Sequence, residues 1–132
     1  MAIVKEVLES SRVPRIGPYS QAVRVGELLF IAGQPGIDPR TGMVAGPTFE
    51  EQGRQAFENL RAVPEDAGSG MDQVVRVTCF ITDADSFPTL NALFGEYFPS
   101  APPVRSTPIV SLPKKELLFS IDAIAVAGSR HA

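Results

Sequence analysis

Apolar and polar residues alternate along several short segments of this chain, and turn-forming residues separate these segments. The first stretch covers residues 22–32, where Gly26 and Glu27 divide two β-favouring runs and predict a β-hairpin. Another stretch, residues 73–82, alternates in a way that predicts an interior strand. The apolar face of this strand would carry Val75, Val77, Cys79 and Ile81.

Two further strands are predicted in the last third of the chain, with a turn at residues 112–115 between them. The first follows two prolines and would place Arg105, Thr107 and Ile109 on one face. The second covers residues 117–126 and divides its side chains between two faces. One face would carry Leu117, Phe119, Ile121, Ala123 and Ala125, and the other Leu118, Ser120, Asp122, Ile124 and Val126.

Helical spacing marks two other segments. Thr48 and Glu51 match a capping box, which predicts that a helix begins there, and Pro64 should kink or end it before Gly68. A second helix is predicted after the N-cap sequence at residues 85–88. The first helix would bury Phe49, Gly53, Ala56, Phe57, Leu60 and Val63, and the second Phe87, Leu90, Phe94, Tyr97 and Phe98.

The resulting order of elements is strand, strand, helix, strand, helix, strand, strand. This order indicates a two-layer α+β domain with both helices on one face of a sheet. The chain has 132 residues, so we expect a single domain covering residues 1–132. The opposite sheet face is too apolar for water, and we expect another copy of the chain to cover it in a homo-oligomer. Its polar members would be Arg105, Thr107, Ser120 and Asp122.

Composition argues against several classes of protein. A formal charge of -3 disfavours nucleic acid as a partner, because phosphate binding normally needs a dense cationic face. No run approaches the roughly 18 apolar residues of a membrane span, and residues 1–11 lack the apolar core of a signal peptide. The one cysteine, Cys79, excludes an internal disulfide and fits a reducing compartment. We expect a soluble, cytoplasmic protein.

The residues available for catalysis are few. The single histidine, His131, lies next to the C-terminus, which argues against Ser-His and Cys-His nucleophilic systems. The sequence has no cluster with metal-ligand spacing, no phosphate-binding glycine loop and no dinucleotide-binding motif. Arginine, tyrosine, hydroxyl groups, a few carboxylates and backbone amides remain, and these can orient a carboxylate substrate and a water molecule. We therefore expect an intrinsically easy reaction in which positioning supplies most of the acceleration.

Arg105 is the charged residue that most clearly needs a partner. It lies on a strand between apolar residues, and an arginine is rarely buried without an anion because it cannot lose its charge. The partner could be an Asp or Glu of this chain or of another copy, or it could be the carboxylate of a ligand. The strand alone favours the ion pair within the protein.

Five short motifs follow one another along the chain. They are residues 16–22 (IGPYSQA), 30–34 (FIAGQ), 90–92 (LNA), 103–106 (PVRS) and 121–125 (IDAIA). In this order they closely resemble the RidA (YjgF) family of reactive imine and enamine deaminases. The resemblance runs from about residue 17 to residue 126, which is nearly the whole chain.

The resemblance implies a chorismate-mutase-like α+β fold with a mixed sheet and a homotrimer with a pocket in each cleft between subunits. Arg105 would bind the substrate carboxylate, and the backbone amide of Gly33 would contact the substrate. Tyr19 and Asn91 would be further pocket residues. No metal and no cofactor are implied, and the partners would be a small 2-imino or 2-keto acid and other copies of the chain, without nucleic acid or membrane.

The chain departs from the family pattern at three positions. Thr107 stands where well-studied deaminases have a cysteine, and Ala32 replaces a common serine. Ser120 replaces the glutamate that is thought to position the attacking water, while Asp122 matches a second, outer glutamate. A serine can hold a water molecule but cannot act as a general base near neutral pH.

The function indicated by the resemblance is hydrolytic deamination of 2-imino or 2-enamino acids to 2-keto acids and ammonia, with Arg105 and Ser120 as catalytic residues. A non-enzymatic binding module for a small carboxylate metabolite is a second hypothesis, which the serine at position 120 favours. A holdase chaperone or ribonuclease is a third, and the net negative charge gives it little support.

Overall fold

The computed structural model describes residues 4–128, and these form six strands and two helices around one core. His131, which the sequence offered as the only histidine, lies outside the described residues. The elements are β1 (Lys5–Leu8), β2 (Ala22–Val25), β3 (Leu28–Pro35), α1 (Phe49–Asp66), β4 (Val74–Ile81), α2 (Phe87–Tyr97), β5 (Val104–Ser106) and β6 (Phe119–Val126).

The strands form one mixed sheet in the order β1-β2-β3-β6-β4-β5. Only the β4/β5 pair is parallel among these strands, since the helix α2 connects them and lets the chain return in the same direction. Both helices pack on the same face of the sheet. The predicted α+β fold with a chorismate-mutase-like arrangement is therefore confirmed.

The core lies between the helices and this face. Phe57 of α1 is fully buried and stacks on Phe119 of β6 with ring centroids 5.6 Å apart, and on Tyr97 of α2 at 4.8 Å. Burying a side chain of this size stabilises the fold by about 1.5 to 3 kcal/mol. The predicted alternation along β6 is also observed, with Phe119 and every second residue after it buried.

The predicted turn and cap are present. Gly26 joins β2 to β3 with φ of 59°, a backbone conformation that glycine adopts without strain. The Thr48 side chain accepts a hydrogen bond from the Glu51 amide, and the Glu51 side chain accepts one from the Thr48 amide, so α1 begins with a capping box. Pro64 lies in the last turn, and the helix ends at Asp66.

Two predicted details of the core are wrong. Val75 is 43% exposed, because a register shift between Val74 and Arg76 inserts an extra residue that turns the Val75 side chain away from the core. Phe87 begins α2 but is 43% exposed, and its ring lies beside the guanidinium of Arg105. Strand β1 was not predicted, since four residues at a sheet edge give too short a pattern.

The sheet face without helices, which we call the open face, is uncovered within one chain. Cross-strand partners point to the same side of a sheet, and the pairs Val23–Phe30, Phe30–Ile124 and Ile124–Arg76 form a row across it. A cavity of about 460 Å³ on this face is lined by residues that include Phe30, Thr78 and Asp122. The predicted mixture of apolar and polar side chains on this face is present.

Arg105 does not belong to the open face, contrary to the prediction. The parallel register pairs Arg105 with Val77, which is fully buried on the helix side of β4. Arg105 therefore points to the side of the sheet that carries α2. The strand and its alternation were predictable, but the face depended on which residue of β4 lies beside Arg105, and alternation within one strand does not define that register.

Candidate functional site

Arg105 lies at the sheet edge against helix α2, and we call this group the arginine cluster. Its Nη2 atom donates a hydrogen bond of 2.7 Å to Oδ1 of Asn91. The guanidinium carbon lies 4.8 Å from the ring centroid of Phe94 and 5.4 Å from that of Phe87. These contacts hold the planar group by one hydrogen bond and two cation–π interactions, and the two rings lie seven residues apart on α2, about two turns.

The arginine cluster supplies charge without a balancing carboxylate. Within residues 4–128, Arg105 forms no ion pair, although it is half-buried. The ion pair that the strand pattern favoured is thus absent within this part of the chain. Because one amide oxygen engages one Nη2 hydrogen, the guanidinium keeps donors for a carboxylate from another molecule.

Cys79 lies in β4, the strand next to that of Arg105, and its thiol is unreactive at neutral pH. It is fully buried in the core, and burial raises the pKa of its thiol to about 12. The positive charge of Arg105 acts in the other direction but is the smaller effect. The interpretation of Cys79 as a small buried hydrophobic residue is confirmed, since a thiol with so high a pKa has almost no thiolate at neutral pH.

A second group of predicted residues lines a cavity of about 360 Å³ at the start of β6, which we call the hydroxyl cavity. Tyr19 comes from the loop before β2, Gly33 from β3, and Ser120 from β6. The remaining lining residues are Ile16, Pro35, Ile37, Leu112, Pro113, Lys114 and Leu117. None of the lining residues is acidic.

Local backbone geometry brings these three residues together. The ladder between β3 and β6 shifts register between Ile31 and Gln34, and Gly33 lies in this irregular stretch. A Cβ atom at Gly33 would lie 3.2 Å from Oγ of Ser120, so the glycine leaves the serine hydroxyl accessible. A Cβ atom at Gly17 would overlap the Tyr19 ring, and glycine there lets the ring fold back over the loop.

Two buried amide side chains of α1, which the sequence analysis did not identify, hold the walls of this cavity. Gln52 accepts a hydrogen bond of 2.8 Å from the Leu118 amide and donates to the carbonyl oxygens of Glu116 and Gly46 at 2.8 and 3.0 Å. Asn59 donates to the carbonyl oxygens of Pro35 and Ile37 at 3.2 and 2.9 Å. Their positions between the buried residues of the helical stripe were the signal that could have found them.

The structure does not bring the predicted site residues together within one chain. Ser120 pairs with Phe80 of β4, whereas Arg105 pairs with Val77, three residues earlier. Two strand spacings and three residues along the strand separate the Cα atoms of Ser120 and Arg105 by roughly 14 Å, and their side chains leave opposite faces of the sheet. A small 2-imino acid cannot bridge them.

The predicted site residues therefore form two separate groups within the described chain. Tyr19, Gly33 and Ser120 line the hydroxyl cavity, while Arg105 and Asn91 form the arginine cluster. Thr107 follows β5 directly and is half-buried, and it does not line the hydroxyl cavity.

The arginines of the N-terminal segment are paired, so they do not form a free basic patch. Arg12 contacts Glu65 and Asp66 at 2.9 and 3.0 Å, and Arg15 contacts Glu9 at 2.6 Å. The helices within residues 4–128 include none that is long and apolar enough to cross a membrane.

Comparison with known proteins identifies the family. The family model described as Endoribonuclease L-PSP matches residues 9–127. The chain belongs to this family, which is the RidA (YjgF) family that the five motifs indicated, and that prediction is confirmed.

The similar proteins include both named enzymes and proteins named only by family. A RutC family protein of Pyrococcus horikoshii is 42% identical over 123 residues, covering 92% of this chain and 98% of the relative. A 2-iminobutanoate/2-iminopropanoate deaminase of Dermatophagoides farinae is 40% identical over 124 residues, covering 92% and 96%. The structure of E. coli TdcF with bound serine matches with a TM-score of 0.86 at 33% identity, covering 93% of this chain and 99% of that chain.

Proposed function

We propose that this protein hydrolyses 2-imino and 2-enamino acids to 2-keto acids and ammonia in the cytoplasm. The observation that carries the proposal is Arg105, a half-buried guanidinium held by Asn91 and two rings with no ion-pair partner within residues 4–128. A substrate carboxylate supplies the missing anion and accepts two parallel hydrogen bonds. Similarity to proteins named as 2-iminobutanoate/2-iminopropanoate deaminases supports the choice of substrate.

We further propose that the reaction takes place between two copies of the chain in a homotrimer. The arginine cluster lies on the helix side of the sheet edge, and the hydroxyl cavity lies at the start of β6. Each is half of a site for a molecule with one carboxylate and one reacting carbon. The uncovered apolar row on the open face supplies the surface that such an assembly would bury.

In this arrangement Arg105 fixes the carboxylate, and the substrate carbon C2 lies beside Ser120 and the backbone amide of Gly33. The oxygen of water forms a bond to C2, and the π electrons of the C=N bond move to nitrogen. Nitrogen takes one proton of the water in this addition, which gives a carbinolamine. When its C–N bond breaks, the carbinolamine O–H gives the second proton to nitrogen and C=O forms, so ammonia leaves and the 2-keto acid remains. Ser120 orients the water by accepting a hydrogen bond, so positioning supplies most of the acceleration.

A coupled assay tests the deaminase directly. Threonine dehydratase releases 2-iminobutanoate from threonine, and semicarbazide traps the imine before it hydrolyses spontaneously. The protein is expected to divert the imine to 2-oxobutanoate and so lower the yield of trapped product in proportion to its concentration. An unchanged yield at high protein concentration would refute the activity, and Arg40→Ala, a change in an exposed turn, controls for nonspecific effects.

A non-enzymatic binding module is the second candidate, and the lining of the hydroxyl cavity favours it. Ser120 occupies the position where a carboxylate would activate water. No acidic side chain within residues 4–128 lines this cavity. In that case the protein binds 2-oxobutanoate through Arg105 but leaves the yield of trapped imine unchanged. Isothermal titration alongside the coupled assay separates the two functions.

A further inference from the structure

The hydroxyl cavity is larger and more apolar than the hydrolysis of a small 2-imino acid requires. Ser120 and Gly33 form one end, and the rest of the wall is mainly hydrocarbon. The apolar part consists of Ile16, Pro35, Ile37, Leu112, Pro113 and Leu117. At about 360 Å³, the cavity falls within the roughly 300 to 1,000 Å³ of pockets that enclose drug-sized ligands, whereas a methyl or ethyl side chain would leave most of it empty.

Hydrogen bonds and buried side chains hold the walls of this cavity, so the fold itself maintains its volume. Gln52 connects α1 to the segment before β6 through two hydrogen bonds and to Gly46 through a third, and Asn59 donates to the carbonyl oxygens of Pro35 and Ile37. Ile37 and Leu117 are themselves almost completely buried. The cavity cannot collapse onto a small substrate without breaking these contacts.

We propose that the apolar part of the hydroxyl cavity is a side-chain subsite, and that the protein prefers 2-imino acids with branched or aromatic apolar side chains over 2-iminopropanoate and 2-iminobutanoate. This inference rests on the proposed function, because it requires the reacting carbon to lie beside Ser120. An apolar side chain that fills a hydrophobic subsite typically raises the specificity constant by roughly 10-fold or more, and Ile16, Leu112 and Pro113, which keep accessible surface, provide the contacts.

Among residues 4–128, Lys114 is the charged residue that lines the cavity. It bears on the main alternative, which is a preference for 2-imino acids with acidic side chains. Its side chain is exposed, so the ammonium group can stay in water while the hydrocarbon stem covers apolar surface. An acidic side chain, as in 2-iminoglutarate, would place a carboxylate among the six apolar lining residues, and Lys114 would have to leave water to pair with it. The subsite is therefore expected to reject 2-iminoglutarate.

A series of 2-keto acid products tests the subsite by isothermal titration, independently of catalysis. Affinity is expected to increase by about 10-fold or more from pyruvate to 4-methyl-2-oxopentanoate, while 2-oxoglutarate binds no better than pyruvate. Leu112→Ser should remove most of this increase and leave pyruvate binding within about 2-fold, since it truncates only the subsite. Ile109→Ser is the matched control, because Ile109 lies in the same connection but is 59% exposed.

The corresponding imines, generated with an L-amino-acid oxidase and trapped with semicarbazide, test the preference during turnover. A specificity constant that rises with the apolar side chain supports the subsite. Equal affinity and equal rates across the series, no detectable binding of any keto acid, or a preference for 2-oxoglutarate would overturn it. If no imine is hydrolysed while keto acid affinity still rises along the series, the deaminase proposal fails and the subsite stands.

Discussion

Arg105 shows how a single residue joins the chemistry of the site to its packing. Its guanidinium contacts the rings of Phe87 and Phe94 and donates to Asn91, so it is already oriented for the carboxylate that we propose it binds. Lysine has the same charge but lacks the planar fork, so it could not keep the hydrogen bond to Asn91 and also bind a carboxylate by two parallel bonds.

We therefore expect Arg105→Ala to abolish deaminase activity and to weaken 2-oxobutanoate binding by about 2 to 4 kcal/mol, the usual effect of losing a desolvated charge pair. Arg105→Lys should recover only part of this loss. Isothermal titration and the coupled imine assay measure both effects, and circular dichroism checks that the variants fold. Wild-type affinity in Arg105→Ala would rule out the anchor.

Ser120 is the position at which the resemblance predicts that a serine replaces the glutamate of the family. The hydroxyl lies beside Gly33 in a cavity that has room for a longer side chain. If water activation benefits from a carboxylate, Ser120→Glu should raise kcat by roughly one to three orders of magnitude with little change in KM. Ser120→Gln has a similar size without the base and is the control. Equal rates for the glutamate and glutamine variants would contradict this reasoning.

Asp122 lies too far from Ser120 to take the place of a carboxylate at position 120. It lies two residues further along β6, roughly 6.6 Å away on the same face, and it lines the separate cavity on the open face. The sequence alone was sufficient to identify Arg105, Ser120 and Asn91 as candidates. It could not assign Arg105 and Ser120 to opposite faces, because that depends on the pairing of β4 with both β5 and β6.

The thiol of Cys79 gives a test that depends on pH. Burial raises its pKa from an ordinary value near 9 to about 12, so the folded protein keeps a proton that the unfolded chain releases. The unfolded state then binds fewer protons, and stability should fall as the pH rises from about 9 towards 12. Urea unfolding at pH 8 and pH 10 should show a larger loss for the wild type than for Cys79→Ala. Identical losses would contradict the assignment.

At the scale of elements, helix α1 does more than cover the sheet. Its buried amides Gln52 and Asn59 bond backbone groups of segments that line the hydroxyl cavity. Helical spacing predicted the apolar stripe of α1 correctly, because that stripe follows from the period of the helix alone. The partners of Gln52 lie in loops distant in sequence, and no local pattern indicates such contacts.

We expect Gln52→Ala to lower the free energy of unfolding by about 2 to 4 kcal/mol, because it leaves the Leu118 amide and two carbonyl oxygens without partners. Gln55→Ala is the matched control on the same helix. It removes a single hydrogen bond, to Oδ1 of the buried Asn59, and should cost about 1 to 2 kcal/mol, less than the loss of three hydrogen bonds at Gln52. Urea unfolding measures both variants, and equal losses would show that the network of Gln52 carries no special stability.

The bulge at Val75 shows why the alternation of apolar and polar residues did not predict every buried position of β4. The alternation in residues 73–82 is regular in sequence, yet the ladder between β4 and β6 shifts between Val74 and Arg76. The shift exposes Val75 and retains Val77, Cys79 and Ile81 in the core. A bulge depends on the fit between two neighbouring strands, so the alternation of one strand cannot indicate it.

At the scale of the whole molecule, the homotrimer that we propose would cover the open face and join the two groups of site residues. A chain that keeps Arg105 and Ser120 on opposite sides of its sheet can use both on one substrate only if another copy supplies one of them. The row through Val23, Phe30 and Ile124 provides apolar surface for that association. Sedimentation should accordingly show a trimer, and a fully active monomer of about 14 kDa would refute the shared site.

Mixing two inactive variants gives the strictest test of a shared site. Arg105→Ala removes the anchor, and Gly33→Leu fills the hydroxyl cavity beside Ser120, so each variant alone should be inactive. After joint unfolding and refolding at equal concentrations, about one quarter of the interfaces in a ring would combine an intact arginine cluster with an intact cavity. Deaminase activity near that fraction of wild type is therefore expected. If each site lies within one chain, the mixture stays as inactive as its components, although both variants still sediment as trimers.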